Sequence, residues 1–166
     1  MDLVFVRHGI ALDRALARDR GIADAERPLV RAGIERTVAA MEGLAVVLRG
    51  ATVAVFSSPW LRARQTADIA AEALAAPPPV LRPALAPGGD PTSVLPEAMA
   101  MGLTAVVVVG HEPDLAHALA ALLGAPASAL RLKKAGAAIV RDSSDGPRLT
   151  AFLPPRTLRR LGGATG

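Results

Sequence analysis

The chain of 166 residues contains no cysteine, which excludes disulfide bonds, zinc–thiolate centres and cysteine nucleophiles. Aromatic residues are almost as scarce, and the full set is Phe5, Phe56, Trp60 and Phe152. With so few stacking platforms, we expect no nucleic-acid partner. Tyrosine is absent and lysine is rare, so little titrates between histidine and arginine. The isoelectric point of 10.9 therefore reflects a net charge of only +4.

Long apolar runs are missing as well. The most apolar internal stretch, AVVVVG at 105–110, is far shorter than the roughly 20 residues that span a bilayer. The amino terminus has neither the basic region nor the apolar core of a signal peptide. We therefore expect a soluble, cytoplasmic protein with no membrane partner. Apolar residues still make up 51% of the chain, which is enough for a packed core.

Strands and helices alternate along the sequence. Three short apolar runs predict strands, at 3–6, 52–58 and 105–109. Helical spacing of apolar residues predicts helices over 31–48 and around 115–122. Ser58 and Pro59 are typical of a helix cap and a first helical residue, so we expect a helix to begin at Pro59.

The remaining segments complete the predicted fold. A short strand is expected near 80–82, a short helix over 97–101, and a hairpin whose turn is Asp145–Gly146. Together these elements predict a three-layer α/β/α fold with a mostly parallel central sheet. We expect a single domain over 1–153 and a loose, Arg/Gly-rich tail over 154–166.

Charged and polar side chains directly follow three of the predicted strands. Arg7 and His8 follow the first strand, Arg62 lies in the helix after the second, and His111 follows the third. In such sheets, ligands bind beyond the carboxyl ends of the strands, and helix amino termini there favour anions. The planar guanidinium of arginine has paired N–H donors whose geometry matches the oxygens of a phosphoryl group. This edge of the sheet is therefore a predicted phosphoryl site.

Other residues have simpler structural interpretations. His117 lies in a predicted helix among apolar residues and needs no chemical role. His111 and His117 are six positions apart and do not share a helix face, which argues against a metal site between them. Arg64 is expected to face away from Arg62. The sequence also lacks the glycine patterns of dinucleotide and P-loop sites.

Three segments in this order resemble the histidine phosphatase superfamily, also called phosphoglycerate mutase-like: RHG at 7–9, SSPWLRARQT at 57–66 and VGHEP at 109–113. Three more are similar to its SixA-type phosphohistidine phosphatases, namely ERPLVRAG at 26–33, PGGDP at 87–91 and LKKAGAAIV at 132–140. The resemblance extends from about residue 3 to 153 and implies a phosphoglycerate mutase-like fold.

This resemblance implies that His8 attacks phosphorus and forms a phosphohistidine intermediate. Arg7, Arg62 and His111 would bind the phosphoryl oxygens, with His111 as a charged donor, and neither a metal nor another cofactor is needed. The implied substrate is phosphohistidine on a partner protein domain. Two alternatives stay open, a phosphatase for small phosphate esters and a phosphate-binding module without turnover.

The sequence does not settle which residue, if any, is a general acid for the leaving group. The segment between Thr66 and His111 is short and leaves Asp90 and Glu97 as candidates. Asp90 either lies at the pocket rim or caps the next helix, and the sequence favours neither. Arg27 either approaches the phosphate or pairs with a carboxylate, and we favour the pairing.

Overall fold

The computed structural model describes residues 1–163. Its strands are β1 (Asp2–Arg7), β2 (Val53–Ser57), β3 (Val80–Leu81), β4 (Ala105–Gly110), β5 (Ala137–Arg141) and β6 (Arg148–Leu153). Its α-helices are α1 (Arg14–Asp19), α2 (Arg31–Val47), α3 (Leu61–Ala73), α4 (Leu95–Ala100), α5 (Asp114–Leu123) and α6 (Pro155–Leu161). None of the helices between residues 1 and 163 is long and apolar enough to cross a membrane.

The strands form one six-stranded sheet in the order β3-β2-β4-β1-β5-β6. The first four strands of the chain pair in parallel, whereas β5 is antiparallel to both of its neighbours. The predicted α/β/α fold with a mostly parallel sheet is confirmed. Because β2, β4 and β1 are adjacent, their carboxyl ends meet at one edge of the sheet, together with the start of β5.

Each face of the sheet packs against its own helices because side chains alternate along the strands. Val4 and Val6 of β1 face the core beneath α2, α3 and α6, and Leu3 and Phe5 face the core beneath α4 and α5. Most of the residues in β4 are hydrophobic because both faces of the central strand are covered.

The hairpin between β5 and β6 is also confirmed, and Gly146 in its turn has a φ of +94°, which favours glycine. The predicted helix start at Pro59 is wrong, since α3 begins at Leu61. The Ser58 hydroxyl accepts a hydrogen bond from the Trp60 N–H and shapes the turn before the helix.

The prediction of a loose tail from 154 is wrong for residues Pro155–Leu161, which form α6. Leu158 of this helix is fully buried against α2. Close packing is permitted by Gly43 of α2, since a Cβ at that position would overlap the Leu158 carbonyl. Residues 164–166 of the predicted tail lie outside the described residues.

Candidate active site

The ends of β1, β2 and β4 bring the predicted phosphoryl-binding residues into one cavity of about 580 Å³. The backbone connects these ends directly: His8 N–H donates to the Gly110 carbonyl, and Ser58 N–H donates to the Val109 carbonyl. The floor of the cavity is buried, with exposed fractions of 7% for His8, 3% for Arg62 and 3% for His111. The cavity is lined by Arg7, His8, Ile10, Ala11, Leu12, Asp13, Arg14, Asp24, Arg27, Trp60, Arg62, Pro87, His111, Glu112 and Lys134.

The turn after β1 is tied to α3 by Thr66. The Gly9 N–H donates to Thr66 Oγ1 over 2.9 Å, and the Thr66 hydroxyl donates to the Arg62 carbonyl over 2.7 Å. Gly9 itself has no room for a Cβ, which would overlap Thr37 Oγ1. Thr66 thereby fixes the backbone beside His8. The sequence analysis did not identify this role, although Thr66 ends the SSPWLRARQT segment.

The hydrogen bonds of His8 define its tautomer. Arg62 Nε–H is always a donor, and it lies 3.3 Å from His8 Nε2, so Nε2 is the acceptor. The ring proton is therefore on Nδ1, which lies 2.7 Å from the Gly9 carbonyl and donates to it. This arrangement leaves the Nε2 lone pair on the side of the ring that faces Arg62.

Both buried histidines are neutral in the free protein. Burial, together with nearby positive charges, lowers the pKa of His8 to about 3 against the opposing effect of the Gly9 carbonyl. Burial also lowers the pKa of His111 to about 3, assisted by the Arg62 charge. His111 is therefore uncharged in the free protein, and its role as a charged donor to a bound phosphoryl group stays a prediction. A neutral imidazole still provides one N–H donor.

His111 is positioned by Ser58, whose Oγ lies 2.9 Å from His111 Nε2. Ser58 Oγ also accepts from the Trp60 N–H, and its hydroxyl is able to donate to Nε2 or to accept from it. The other ring nitrogen of His111, Nδ1, is buried and has no hydrogen-bond partner among residues 1–163. His111 thus has a ring nitrogen that no described protein group uses, and its ring centroid lies 5.0 Å from that of His8.

Arg7 and Glu112 are linked through the backbone of Leu132. Arg7 Nη1 donates to the Leu132 carbonyl over 2.9 Å, and the Leu132 N–H donates to Glu112 Oε1 over 2.7 Å. Burial lowers the pKa of Arg7 and raises the pKa of Glu112. The remaining atoms Arg7 Nε and Glu112 Oε2 are buried without a partner in the described chain. Glu112 was missed as a cavity carboxyl, although it directly follows His111 in the VGHEP segment.

Arg62 is held on three sides. Its Nη1 donates to the Asp24 carbonyl over 2.7 Å, its Nε faces His8, and its guanidinium lies 4.6 Å over the Trp60 ring. Burial lowers the pKa of Arg62 to about 10, so the side chain stays charged at neutral pH. Arg27 pairs with the Asp24 carboxylate at 2.6 Å, as the sequence analysis favoured, and it also lines the cavity.

The other candidates lie outside the cavity lining. Asp90 caps the 3₁₀ helix over Pro91–Val94, accepting from the backbone N–H and the hydroxyl of Thr92. The suggestion that Asp90 is a general acid or rim residue is therefore not supported by its position. Glu97 pairs with Arg82. Arg64 is exposed, as expected, and His117 is exposed on α5.

The cavity is chemically suited to a tetrahedral anion. Five basic side chains line it, and all three of its acidic side chains already bind protein groups: Asp13 caps α1, Asp24 pairs with Arg27, and Glu112 accepts from the Leu132 N–H. Among residues 1–163, no group of three or more histidine, aspartate or glutamate side chains is arranged to hold a metal ion. Fixed cations and N–H donors around a buried imidazole are the arrangement that phosphoryl transfer requires.

A sequence model of the histidine phosphatase superfamily (branch 1) matches residues 3–86, half of the chain. The chain belongs to the histidine phosphatase superfamily. An uncharacterized protein of Picosynechococcus is 38% identical over an alignment of 149 residues that covers 82% of each chain.

Among solved structures, the chain is similar to SixA proteins of this superfamily. The protein histidine phosphatase SixA in complex with tungstate is 26% identical, with a TM-score of 0.78 over 95% of this chain and 99% of that one. A SixA protein of Agrobacterium tumefaciens is 24% identical, with a TM-score of 0.75 over 93% of this chain and 97% of that one. Family membership and these neighbours support phosphatase activity.

The neutral histidines predict an acid-sensitive fold. In the native protein the pKa of His8 and of His111 is about 3, so both stay unprotonated until the pH falls to that value. In the unfolded chain each is protonated near the ordinary histidine pKa of about 6.5. The unfolded state therefore binds more protons, and the free energy of unfolding should fall as pH falls through this window. Urea unfolding at about pH 7 and about pH 5 measures the slope. A His8→Asn/His111→Asn variant should show a shallower slope, and an unchanged slope would contradict the assignment.

Proposed function

We propose that the protein is a phosphohistidine phosphatase that uses His8 as its nucleophile. The observation that supports this most directly is the buried, neutral His8 ring, whose Nδ1–H donates to the Gly9 carbonyl and whose Nε2 lone pair faces Arg62. A histidine nucleophile must be unprotonated on the attacking nitrogen, and this hydrogen-bond pattern meets that requirement.

In the first proposed step, the bound phosphoryl group takes over the Arg62 Nε–H donor, which lies 3.3 Å from His8 Nε2 in the free protein. The freed Nε2 lone pair then attacks phosphorus as the bond to the leaving group breaks. Arg7, Arg62 and His111 surround the phosphoryl oxygens, where charge spreads during transfer. The unpaired Arg7 Nε–H gains an acceptor when the phosphoryl group binds, and so does the unpaired His111 Nδ1 in the tautomer that carries its proton there. Because these donors are preorganised, little reorganisation is needed during the reaction.

In the second proposed step, water attacks the phosphorus of phosphorylated His8. The P–Nε2 bond breaks, its electron pair returns to Nε2, and inorganic phosphate leaves. The burial that lowers the pKa of His8 now favours this cleavage product, since the enzyme regenerates a neutral imidazole. The Gly9 carbonyl keeps the proton on Nδ1 throughout, so the ring does not need to rotate between steps.

The acidic side chains of the cavity favour phosphohistidine as the substrate. An ester releases an alkoxide, which needs a proton from a general acid, whereas a departing imidazole is basic enough to take a proton before it leaves. Asp13 and Asp24 are both occupied by protein groups. The rim is formed by exposed residues, including Asp13, Arg14, Pro87 and Lys134, which is compatible with a side chain presented on a protein surface.

The substrate class is tested by comparing kcat/KM for a phosphohistidine-bearing protein domain with that for sugar phosphates and phosphoglycerates. We expect the phosphohistidine substrate to be favoured by at least about tenfold, which corresponds to about 1.4 kcal/mol. The assays contain EDTA, because side chains supply all the charge stabilisation in the proposed steps. Efficient turnover of one ester with none of phosphohistidine would overturn the proposal, as would an activity that requires added divalent metal.

Glu112 supports one alternative, a phosphatase for small esters. It lines the cavity, its Oε2 is buried without a partner in the described chain, and burial raises its pKa. A carboxyl that keeps its proton is able to protonate an alkoxide. Under this alternative, Glu112→Gln would lower ester turnover far more than phosphohistidine turnover. Equal effects on both substrates would assign Glu112 to positioning Leu132 instead.

A further inference from the structure

A second, smaller cavity of about 90 Å³ adjoins the cavity that contains His8, which we call the catalytic cavity. Ile10 and Lys134 line both cavities. It lies between the loop after β1, the first half of α2 and the start of α6. Its lining consists of Ile10, Gly33, Arg36, Thr37, Lys134, Ala135, Pro155 and Arg159. We call this the basic groove, since three of its lining residues are cations and none is acidic.

The cations of the basic groove are not neutralised by the protein. Within residues 1–163, Arg36, Lys134 and Arg159 take part in no salt bridge and no side-chain hydrogen bond. Arg31, on the same helix, is by contrast paired with Glu35. The groove therefore offers unused positive charge.

Lys134 experiences the positive charges of the catalytic cavity as well as those of the groove. Partial desolvation of its ammonium lowers the pKa of Lys134, and the charges of Arg7, Arg27 and Arg62 also lower it. An anion placed beside Lys134 is thus attracted by the groove and by the catalytic cations together. Since the two cavities share this residue, a ligand that occupies one lies next to a ligand in the other.

The groove is built on a closely packed base. The loop after β1 passes so near α2 that a Cβ on Gly33 would overlap the Ile10 carbonyl, and Val30 N–H donates to that carbonyl. On the other side, α6 is anchored to α2 by the buried Leu158. Arg36 and Arg159 therefore project from two helices whose separation is fixed, and the cavity between them is small enough to suit a single carboxylate.

We propose that the basic groove binds an acidic side chain of the partner protein, next to the phosphorylated histidine that enters the catalytic cavity. This inference rests on the proposed function, because only a polypeptide substrate reaches both cavities at once. A small phosphate ester fills the catalytic cavity and leaves Arg36 and Arg159 unused. The groove thus gives a reason for the enzyme to select phosphohistidine in an acidic surrounding.

The test uses a pair of short phosphohistidine peptides, identical except that one carries glutamates beside the phosphohistidine and the other carries glutamines. For the unmodified enzyme, we expect kcat/KM to be about 3- to 10-fold higher for the glutamate peptide, the range for two exposed ion pairs. The preference should shrink between about 50 mM and about 500 mM NaCl, because salt screens exposed charges.

The decisive variant is Arg36→Gln/Arg159→Gln, which leaves every residue of the catalytic cavity in place. It should lose the preference for the glutamate peptide while hydrolysing free phosphoramidate at the rate of the unmodified enzyme. Arg49→Gln is the matched control, since Arg49 is exposed beyond the far end of α2 and lines neither cavity. It should keep the preference.

The outcomes separate this inference from the proposed function. If the unmodified enzyme hydrolyses both peptides equally, or if the double variant keeps the preference, the groove proposal is wrong and the phosphohistidine activity stands. If the unmodified enzyme hydrolyses neither peptide but does hydrolyse small esters, the proposed function itself fails. Thermal unfolding of the double variant checks that α6 stays packed on α2, and the unchanged phosphoramidate rate provides a second check of the fold.

Discussion

Replacing His8 by alanine is expected to lower kcat by at least about 10⁴-fold, the order of loss that follows removal of a covalent nucleophile. The arginines and His111 would still bind the phosphoryl group, so substrate affinity should change much less than turnover. His117 is exposed on α5 and lies outside the cavity lining, and His111 Nε2 is held by Ser58 at 2.9 Å, closer than the 3.3 Å between His8 Nε2 and Arg62 Nε. The proposed phosphoryl acceptor is therefore a single atom, His8 Nε2.

The intermediate is tested by brief reaction with labelled substrate and a denaturing quench. The label should remain on the protein, should be stable in base and lost in acid as a phosphoramidate bond is, and should be absent from His8→Ala. His117→Ala is the control with one histidine fewer, and it should label normally. Label retained on His8→Ala would assign the nucleophile to another residue.

The sequence was sufficient to predict the fold and the floor of the cavity. Residues that follow buried parallel strands meet at one edge of a sheet, so Arg7, His8 and His111 could be brought together without coordinates. Arg62 follows from the same rule, since it lies in the helix after β2. These predictions depend on local pattern and sheet topology, which short apolar runs identify well.

The residues that position the floor could not be predicted in the same way. Thr66 and Leu132 act through hydrogen bonds to residues far away in the sequence, and Asp24 holds Arg62 with its backbone carbonyl. A backbone carbonyl has no signature in a sequence. Asp90 was equally ambiguous, because the Asp-Pro pattern that caps a helix does not show whether the carboxylate also reaches a cavity.

The sequence of α6 contains residues typical of helix boundaries, but the arginine and glycine content of the segment favoured a different prediction. The arginines and glycines of 154–166 suggested a loose tail, but proline at the first helical position and glycine directly after the end are typical helix boundaries. The interactions that hold α6 in place depend on tertiary packing. They are the burial of the Leu158 side chain and the close approach of the Leu158 backbone to Gly43 of α2. This helix also provides Arg159 of the basic groove, so the misassigned segment is part of a proposed binding surface.

Substitution of Arg62 is expected to lower turnover strongly, although less than substitution of the proposed nucleophile. The Arg62 side chain contacts His8 Nε2 through Nε and is held by the Asp24 carbonyl through Nη1. Arg62→Ala should lower kcat about 10²- to 10³-fold, as loss of a preorganised donor to a developing negative charge does. We expect losses of the same order for Arg7→Ala and His111→Ala.

Arg62→Lys distinguishes geometry from charge, and we expect it to recover little of the lost activity. An ammonium at the end of a flexible chain keeps the positive charge but cannot donate to the Asp24 carbonyl and to a phosphoryl oxygen in the fixed directions of a guanidinium. Steady-state kinetics of both variants with one phosphohistidine substrate measures the effect. Arg64→Lys provides the matched control, since Arg64 is exposed two residues along the same helix. Near-normal kcat in Arg62→Lys would mean that charge alone suffices, and near-normal kcat in Arg62→Ala would remove Arg62 from the phosphoryl site.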